Sequence, residues 1–258
     1  MKEILNVLLV QSNTTWENVE TNLHALDKLL LKASADLILL PETFSTGFSM
    51  DSKRLAEAMD GRTVTWMKKK AAKLGAVISG SAIIRDQERI YNRLLWVSPS
   101  GSVDSYDKRH LFGPMGEPAS FSPGATRKIF SLHGWRVCPL ICYDLRFPVW
   151  CRNQDDYDLL VYVANWPVAR HLAWKTLLRA RAIENQSYCI GLNRTGQDGN
   201  GIDFGGSSLC FDPLGANVIE LGPGAQVSKI QLTAGHLSTI RSKLPFLKDR
   251  DTFTLNNK

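Results

Sequence analysis

Three residues whose side chains could carry out acyl transfer follow apolar runs of this sequence, where buried strands would end. Glu42 follows the run LILLP, Lys108 closes a predicted hairpin arm, and Cys142 ends the apolar run that begins at Val137. Open α/β sheets place reactive groups at the carboxyl ends of their strands. Together the three types offer a nucleophilic thiol, a carboxylate that moves its proton, and an ammonium that stabilises developing negative charge.

Each of these residues also has an ordinary structural interpretation. A free cysteine is usually a small buried hydrophobe, a glutamate after proline is commonly a loop or helix-cap charge, and a lysine is by default a surface group. In the functional interpretation, burial at the rim of a sheet raises the pKa of Glu42, and a neighbouring ammonium lowers the pKa of Cys142. The residue types alone leave both interpretations open.

The elements that would position these residues alternate along the whole chain. Helices are predicted over 16–32, 62–74 and 171–184. Thr14 or Thr15 could cap the first of them. Strands and hairpin arms are predicted from apolar runs and turn residues over 5–11, 36–40, 76–82, 89–97, 103–106, 128–132, 137–142, 159–163, 188–193, 207–211, 218–221 and 226–232. No linker or composition break interrupts them, which predicts a single α/β domain over residues 1–258 with helices on the outer faces of two sheets.

Composition and charge exclude several classes of protein. The 258 residues are 44% apolar and 22% charged, as in folded globular chains. The net charge of +6 includes three consecutive lysines on a predicted helix, but no basic block alternates with aromatics, which disfavours nucleic-acid binding. Five irregularly spaced cysteines without a CxxC or HExxH motif disfavour a disulfide framework and a zinc site. Since no secretion signal or membrane-length run occurs, we expect a cytoplasmic protein.

The segments around the three candidate residues resemble the signature segments of a known family. LPETF surrounds Glu42, DKRHLF surrounds Lys108, and ICYDLRFP surrounds Cys142, in that order. They are similar to those of the nitrilase superfamily, the carbon–nitrogen hydrolases. Later segments, VANWP and FGGSS among them, also look like that family, so the resemblance covers nearly the whole chain. The ordered set, rather than any single residue, carries the resemblance.

The resemblance implies a four-layer α-β-β-α sandwich, a Glu42–Lys108–Cys142 triad and a homodimer formed through outer helices. Cys142 would attack the carbonyl carbon of an amide while Glu42 takes its proton, and Lys108 and the backbone N–H of Tyr143 would hold the oxyanion. Glu42 would then protonate the departing ammonia and activate the water that hydrolyses the thioester, without metal or organic cofactor. Glu117 corresponds to a further family glutamate that would orient the substrate amide or Lys108; its alternative is a surface loop charge.

Within the superfamily, the KRHLF and MGE segments and the compact length resemble the bacterial omega-amidases, which hydrolyse the terminal amide of 2-oxoglutaramate or 2-oxosuccinamate. The carboxylate of such a substrate needs a cationic contact, because burying an unpaired charge is costly. Arg146 is our hypothesis for that contact, with Arg170 as the alternative; Arg146 is equally suited to an ion pair with Asp144. Four aromatic side chains are available as pocket walls or as core: Phe44, Phe112, Phe121 and Trp166.

Other functions remain open at this stage. Another amidase of the superfamily would act on N-carbamoyl amino acids, carbamoyl amines or deaminated glutathione, since loops rather than the triad shape the acyl pocket. A catalytically silent scaffold belongs to a different class, and the intact triad disfavours it. A nucleic-acid binder has the least support in the sequence.

Overall fold

Two six-stranded mixed sheets form the centre of residues 1–255, the part of the chain that this computed structural model describes. The predicted domain, 1–258, extends three residues beyond that part. The first sheet has the strand order β14-β1-β2-β3-β4-β5. Its members are β1 (Ile4–Gln11), β2 (Leu37–Leu39), β3 (Val77–Asp86), β4 (Arg89–Val97), β5 (Val103–Asp107) and β14 (Gln226–Thr233).

The second sheet has the order β13-β12-β9-β8-β7-β6. Its members are β6 (Phe130–Leu132), β7 (Trp135–Ile141), β8 (Leu159–Ala164), β9 (Tyr188–Asn193), β12 (Leu209–Phe211) and β13 (Asn217–Glu220). A separate hairpin contains β10 (Thr195–Gln197) and β11 (Asp203–Gly205). Strands β1, β2 and β3 run parallel in the first sheet, as do β7, β8 and β9 in the second, and the remaining pairings are antiparallel.

Helices cover the outer faces of both sheets. The helices are α1 (Val19–Leu29), α2 (Ser52–Leu55), α3 (Arg62–Leu74), α4 (Glu117–Ser120), α5 (Pro148–Cys151), α6 (His171–Asn185) and α7 (Ala234–Lys243). Helices α1 and α3 pack on the first sheet, and α6 packs on β9 and β12 of the second. The result is the α-β-β-α layering that the sequence predicted. No helix within residues 1–255 is long and apolar enough to cross a membrane.

The apolar side chains of β1 point alternately to its two faces, and this shows how the layers are held together. Leu5, Val7 and Leu9 belong to the core between the two sheets, together with residues of β7 and β8. Leu8 and Val10, on the opposite face of the strand, pack beneath α1 and α3. Because successive side chains of a strand point to opposite faces, one apolar run serves both cores.

The first helix differs from its prediction over 16–32. It begins at Val19 and ends at Leu29, and Asn18 rather than Thr14 or Thr15 caps it, accepting the N–H of Thr21 at 3.0 Å. Glu17 has φ +52°, a left-handed backbone that no α-helix continues through. Strand β3 also extends to Asp86, beyond its predicted end at 82, because it stays paired with β4 down to the hairpin turn.

Candidate active site

Polar side chains meet where four strands end. Glu42 comes three residues after β2, Lys108 directly follows β5, Cys142 directly follows β7, and Asn165 directly follows β8. Lys108 Nζ lies 2.9 Å from Glu42 Oε1, and Cys142 Sγ lies 3.9 Å from the carbonyl oxygen of Asn165. The structure therefore brings the three predicted residues together at one edge of the sandwich.

The turn after β2 directs the Glu42 carboxylate inward. A Cβ at Gly80 of β3 would lie 2.7 Å from the Cβ of Leu40, so glycine is required for the two strands to approach this closely. Thr43 has φ +43°, and its N–H donates to Ser81 Oγ at 2.8 Å. The side chain of Glu42 is consequently 1% exposed.

Cys142 occupies a sharp change of direction between β7 and a 3₁₀ turn, Cys142–Arg146. Its φ is +41°, an uncommon value for a residue with a Cβ, and such a conformation costs about 1–3 kcal/mol. The turn places the thiol in the lining of a pocket. The next residue, Tyr143, lies in the first turn of this 3₁₀ segment, where N–H groups have no intrahelical acceptor.

The carboxylate of Asp144 ties the cysteine turn to the segment after Lys108. It accepts the Tyr106 hydroxyl at 2.7 Å and the Ile141 N–H at 3.0 Å. Its other oxygen accepts the N–H of His110 at 3.1 Å and lies 2.8 Å from that residue's ring Nδ1. Asp144 is fully buried, so this network fixes the end of β7 relative to the end of β5.

The ammonium group of Lys108 is buried between two carboxylates. It donates to Glu42 Oε1 at 2.9 Å and to Glu117 Oε2 at 2.9 Å, with 1% of its side chain exposed. Burial alone lowers the pKa of Lys108, but the charges of Glu117 and Glu42 outweigh it and hold the pKa above its ordinary value. Lys108 is therefore charged at neutral pH and suited to electrostatic stabilisation.

Glu117 lies in α4, beside Lys108, and is not the surface loop charge that its alternative interpretation required. Its side chain is fully buried and accepts the backbone N–H of Phe112. Burial raises the pKa of Glu117; the Glu42 charge also raises it, and Lys108 opposes both. The carboxyl group is thus held in place by an ion pair and a backbone donor while its charged form is disfavoured.

The pKa of the Cys142 thiol is raised rather than lowered. Burial is the largest cause, the Glu42 charge adds to it, and Lys108 opposes it without prevailing. Lys108 thus lowers the pKa of this thiol, in the direction that the sequence predicted, but burial and the charge of Glu42 outweigh it. At neutral pH the thiol is protonated, and nucleophilic attack requires a neighbouring base.

Two asparagines of this site were not predicted from the sequence. The backbone N–H of Asn165 donates to Glu42 Oε2 at 2.8 Å, and its side-chain amide donates to the Glu42 carbonyl oxygen at 2.8 Å. Asn92, on β4, donates from Nδ2 to Glu42 Oε1 at 2.8 Å. Asn165 could have been found from the feature that identified Cys142, a position directly after a buried strand. The sequence feature for Asn92 is weaker: a polar amide within an apolar strand.

A narrow pocket opens beside Cys142, with an empty volume of about 440 Å³ including its mouth. The Arg146 guanidinium lies 5.1 Å from the centre of the Trp166 ring, and that of Arg170 lies 5.1 Å from the centre of the Phe112 ring. Among residues 1–255 neither guanidinium forms an ion pair, so the alternative pairing of Arg146 with Asp144 is not observed. The pocket is lined by Phe48, Lys108, Phe112, Met115, Cys142, Tyr143, Arg146, Asn165, Trp166, Pro167, Arg170, Asp198, Ile202 and Phe204.

Two of the four candidate aromatic walls are core residues instead. Phe44 packs against Trp66 of α3 on the outer face of the first sheet. Phe121 belongs to a small separate cluster around Ile83. The other two, Phe112 and Trp166, do line the pocket. The remaining aromatic wall comes from a loop (Phe48), the 3₁₀ turn (Tyr143) and β11 (Phe204).

Two sheets between helix layers, with a buried Glu and Lys and a half-buried Cys at the strand ends, define a class of hydrolase. The chain belongs to the carbon-nitrogen hydrolase family, whose model matches residues 6–242. This confirms the family that the LPETF, DKRHLF and ICYDLRFP segments indicated, and with it an enzyme of the carbon–nitrogen hydrolase type.

Individual relatives match over most of the chain. It is 43% identical to the omega-amidase YafV of Escherichia coli (strain K12) over 97% of this chain and 98% of that protein. It is 34% identical to the 2-oxoglutaramate amidase of Bacillus subtilis (strain 168), covering 83% and 85% of the two chains. A CN-hydrolase superfamily protein of Xanthomonas campestris, solved with an arsenic adduct in its active site, superposes with a TM-score of 0.97 and 43% identity, covering 99% and 100%.

Proposed function

We propose that this protein is an omega-amidase, which hydrolyses the terminal amide of small 2-oxo acid monoamides such as 2-oxoglutaramate and 2-oxosuccinamate. The observation that carries the proposal is one pocket containing both the Cys142 thiol and two arginines, Arg146 and Arg170, which form no ion pair with a carboxylate of residues 1–255. The names of the Escherichia coli and Bacillus subtilis relatives support the same substrate class. The products are the dicarboxylate and ammonia.

In the first half of the reaction, Glu42 takes the proton of the Cys142 thiol as sulfur attacks the amide carbon. A base is needed because burial keeps the pKa of this thiol raised. Lys108 and the backbone N–H of Tyr143 stabilise the oxyanion of the tetrahedral intermediate. Glu42 then gives the proton to the leaving nitrogen, so that the C–N bond breaks, ammonia departs and a thioester remains on the cysteine.

In the second half, Glu42 accepts a proton from water, whose oxygen attacks the thioester carbon. The C–S bond breaks, the thiolate recovers the proton, and the carboxylic acid leaves. Glu117 keeps Lys108 in place through both halves, since it contacts the ammonium with both oxygens at 3.0 and 2.9 Å. No step of this sequence calls on a metal or an organic cofactor.

Arg146 binds the distant carboxylate of the substrate in this proposal, and Arg170 is the alternative. Each guanidinium rests on an aromatic ring of the pocket, so each is held in place before the substrate arrives. A fixed cation lowers the cost of desolvating the substrate carboxylate. Phe112 and Trp166 are the rings beneath them and form the sides of the acyl pocket.

We also propose that the protein acts as a cytoplasmic homodimer. All five cysteines are unpaired, as expected in a reducing compartment, and the mechanism requires one of them to remain a thiol. For the dimer, the outer face of α6 offers an exposed stripe at helical spacing: Leu172, Thr176, Arg179 and Ile183. Leu172 is 84% exposed, which suits the contact surface of a second copy.

The test is ammonia release from 2-oxoglutaramate, 2-oxosuccinamate, glutamine, an N-carbamoyl amino acid and an aliphatic nitrile. We expect the two oxo acid amides to be turned over preferentially, and Cys142→Ala to abolish turnover. Arg146→Ala should raise KM at least tenfold with little change in kcat, because the arginine contacts the unreactive end of the substrate. Preferential turnover of the carbamoyl compound would instead retain the triad chemistry and refute the proposed substrate.

If Arg146→Ala left KM unchanged while Arg170→Ala raised it, Arg170 would be the carboxylate contact. An unchanged KM in both variants would refute the arginine subsite. Arg89→Ala serves as the control, because this exposed arginine at the start of β4 lies outside both the pocket and the α6 stripe.

A further inference from the structure

Asn92, on β4, contacts the carboxylates of both Glu42 and Glu117. Its side-chain nitrogen lies 2.8 Å from Glu42 Oε1 and 3.4 Å from Glu117 Oε1. Its backbone oxygen accepts the N–H of Lys108 at 3.0 Å. One buried asparagine, 1% exposed, therefore contacts both glutamates and the lysine that lies between them.

The chemistry of the surroundings fixes which end of the amide faces the glutamates. An NH2 group has two hydrogens to donate, one for each carboxylate, whereas a carbonyl oxygen in that place would repel both. The consequence is that Oδ1 of Asn92 points away and is buried without a hydrogen-bond partner among residues 1–255. An unpaired buried acceptor is destabilising, so the site retains Asn92 at a cost to the fold.

The charges in the cluster explain what such a donor does. Glu42, Glu117, Lys108 and the Cys142 thiol are the titratable groups that face one another here, from the ends of β2 and β5, from α4 and from β7. Two carboxylates share a single ammonium, and each also accepts one backbone N–H, from Asn165 or from Phe112. A donor that contacts both carboxylates further stabilises the pair in its ionised form. A neutral amide provides such a donor and has no proton to lose.

We propose that Asn92 is a positioning residue of the active site, whose NH2 group holds Glu42 and Glu117 against Lys108 and keeps Glu42 able to accept the Cys142 proton. This inference rests on the proposed triad chemistry but not on the identity of the substrate. Asn92 does not line the pocket and acts on the reaction only through Glu42 and Glu117.

The test measures alkylation of Cys142 by iodoacetamide, followed by mass spectrometry of the labelled peptide, in the full-length protein at pH 8. Asn92→Asp keeps the shape of the side chain but turns its donor into a third carboxylate, which disfavours the thiolate. We expect its alkylation rate to fall at least tenfold. Asn92→Ala removes the donor without adding charge, and we expect a fall of at least threefold.

Asn153 offers a matched control. It is fully buried, donates to the backbone oxygens of Tyr157 and Asn185, and has no contact with the site. Asn153→Ala should lower the melting temperature and leave the alkylation rate unchanged, as any purely structural asparagine would. Should the aspartate variant fail to fold, the alanine variant decides the outcome.

Alkylation rates within twofold of the wild type in the folded Asn92 variants would overturn the proposal. Turnover provides a second measurement: kcat should fall at least threefold in Asn92→Ala with KM changed less, because Glu42 has lost a donor that positions its carboxylate. Slower alkylation combined with no turnover of any amide would support the role of Asn92 and refute the proposed function instead.

Discussion

At the scale of single residues, the site keeps a carboxyl group in an environment that disfavours its charged form. The pKa of Glu117 is raised chiefly by burial and further by the charge of Glu42. A carboxyl group whose pKa is higher in the folded chain than in the unfolded chain stabilises the fold at pH values below its pKa in the unfolded chain. That stabilisation is lost as the pH rises through its pKa in the folded chain. At neutral pH the ionised Glu117 is therefore a net cost to folding, which the protein bears for the ion pair with Lys108.

Glu117→Gln should accordingly be at least as stable as the wild type at pH 8 and lose its advantage below about pH 4, where the glutamate is protonated in both folded and unfolded chains. Its kcat/KM should fall at least tenfold, because Lys108 loses one of its two anionic contacts. Thermal unfolding between pH 4 and pH 8, together with turnover, measures both effects. Glu88→Gln, an exposed glutamate, is the control. If the stability of Glu117→Gln relative to the wild type were lower at pH 8 than at pH 4, a raised pKa of Glu117 in the folded protein would be contradicted.

At the scale of elements, the junction between β7 and its 3₁₀ turn is held from outside by the segment that follows β5. Asp144 accepts hydrogen bonds from both sides, so its carboxylate couples the position of Cys142 to that of Lys108. Asp144→Asn replaces one acceptor oxygen with a donor and leaves two donors unsatisfied, at about 1–3 kcal/mol each. We expect a lower melting temperature and a kcat reduced at least tenfold, with KM changed less.

Asp212 is the control for this prediction. It is also buried, also accepts two backbone N–H groups, from Leu214 and Ala216, and also contacts a histidine ring, His236, but it lies outside the pocket. Asp212→Asn should lower the melting temperature and preserve kcat. Equal losses of kcat in the two variants would show that Asp144 acts only through general stability.

The strands that end at the site could be predicted from the sequence, whereas the residues that neighbouring strands and loops bring to it could not. Apolar runs mark where β2 and β7 end, and in the structure Glu42 and Cys142 follow those ends. Asn92 was missed because nothing in a single sequence shows that β4 brings its midpoint beside the ends of other strands. Phe44 and Phe121 were candidates for pocket walls on residue type alone. Which aromatics line a pocket depends on the paths of loops and of the β10–β11 hairpin, and these placed Phe48 and Phe204 there.

At the scale of the whole molecule, the exposed stripe on α6 is expected to be covered by a second copy of the chain. Leu172→Asp places a charge within that contact, where desolvation opposes association. We expect light scattering after size-exclusion chromatography to show a dimer for the wild type and a larger monomer fraction for the variant. Leu31→Asp, at a 73% exposed residue two positions after the end of α1, should leave the dimer intact. A monomeric wild type would refute the homodimer.

The first sheet is closed by a strand from the opposite end of the described chain. β14 pairs with β1 along its entire length, from Ile4 with Thr233 to Gln11 with Gln226, and between them in sequence lie all the strands from β2 to β13. During synthesis β1 therefore leaves the ribosome long before β14, and the edge that β14 will pair stays without a partner strand. Unpaired strand edges are templates for aggregation, and contacts between distant segments form slowly. The nascent chain thus carries an open edge until β14 emerges, and a chain that stops before Gln226 keeps it permanently.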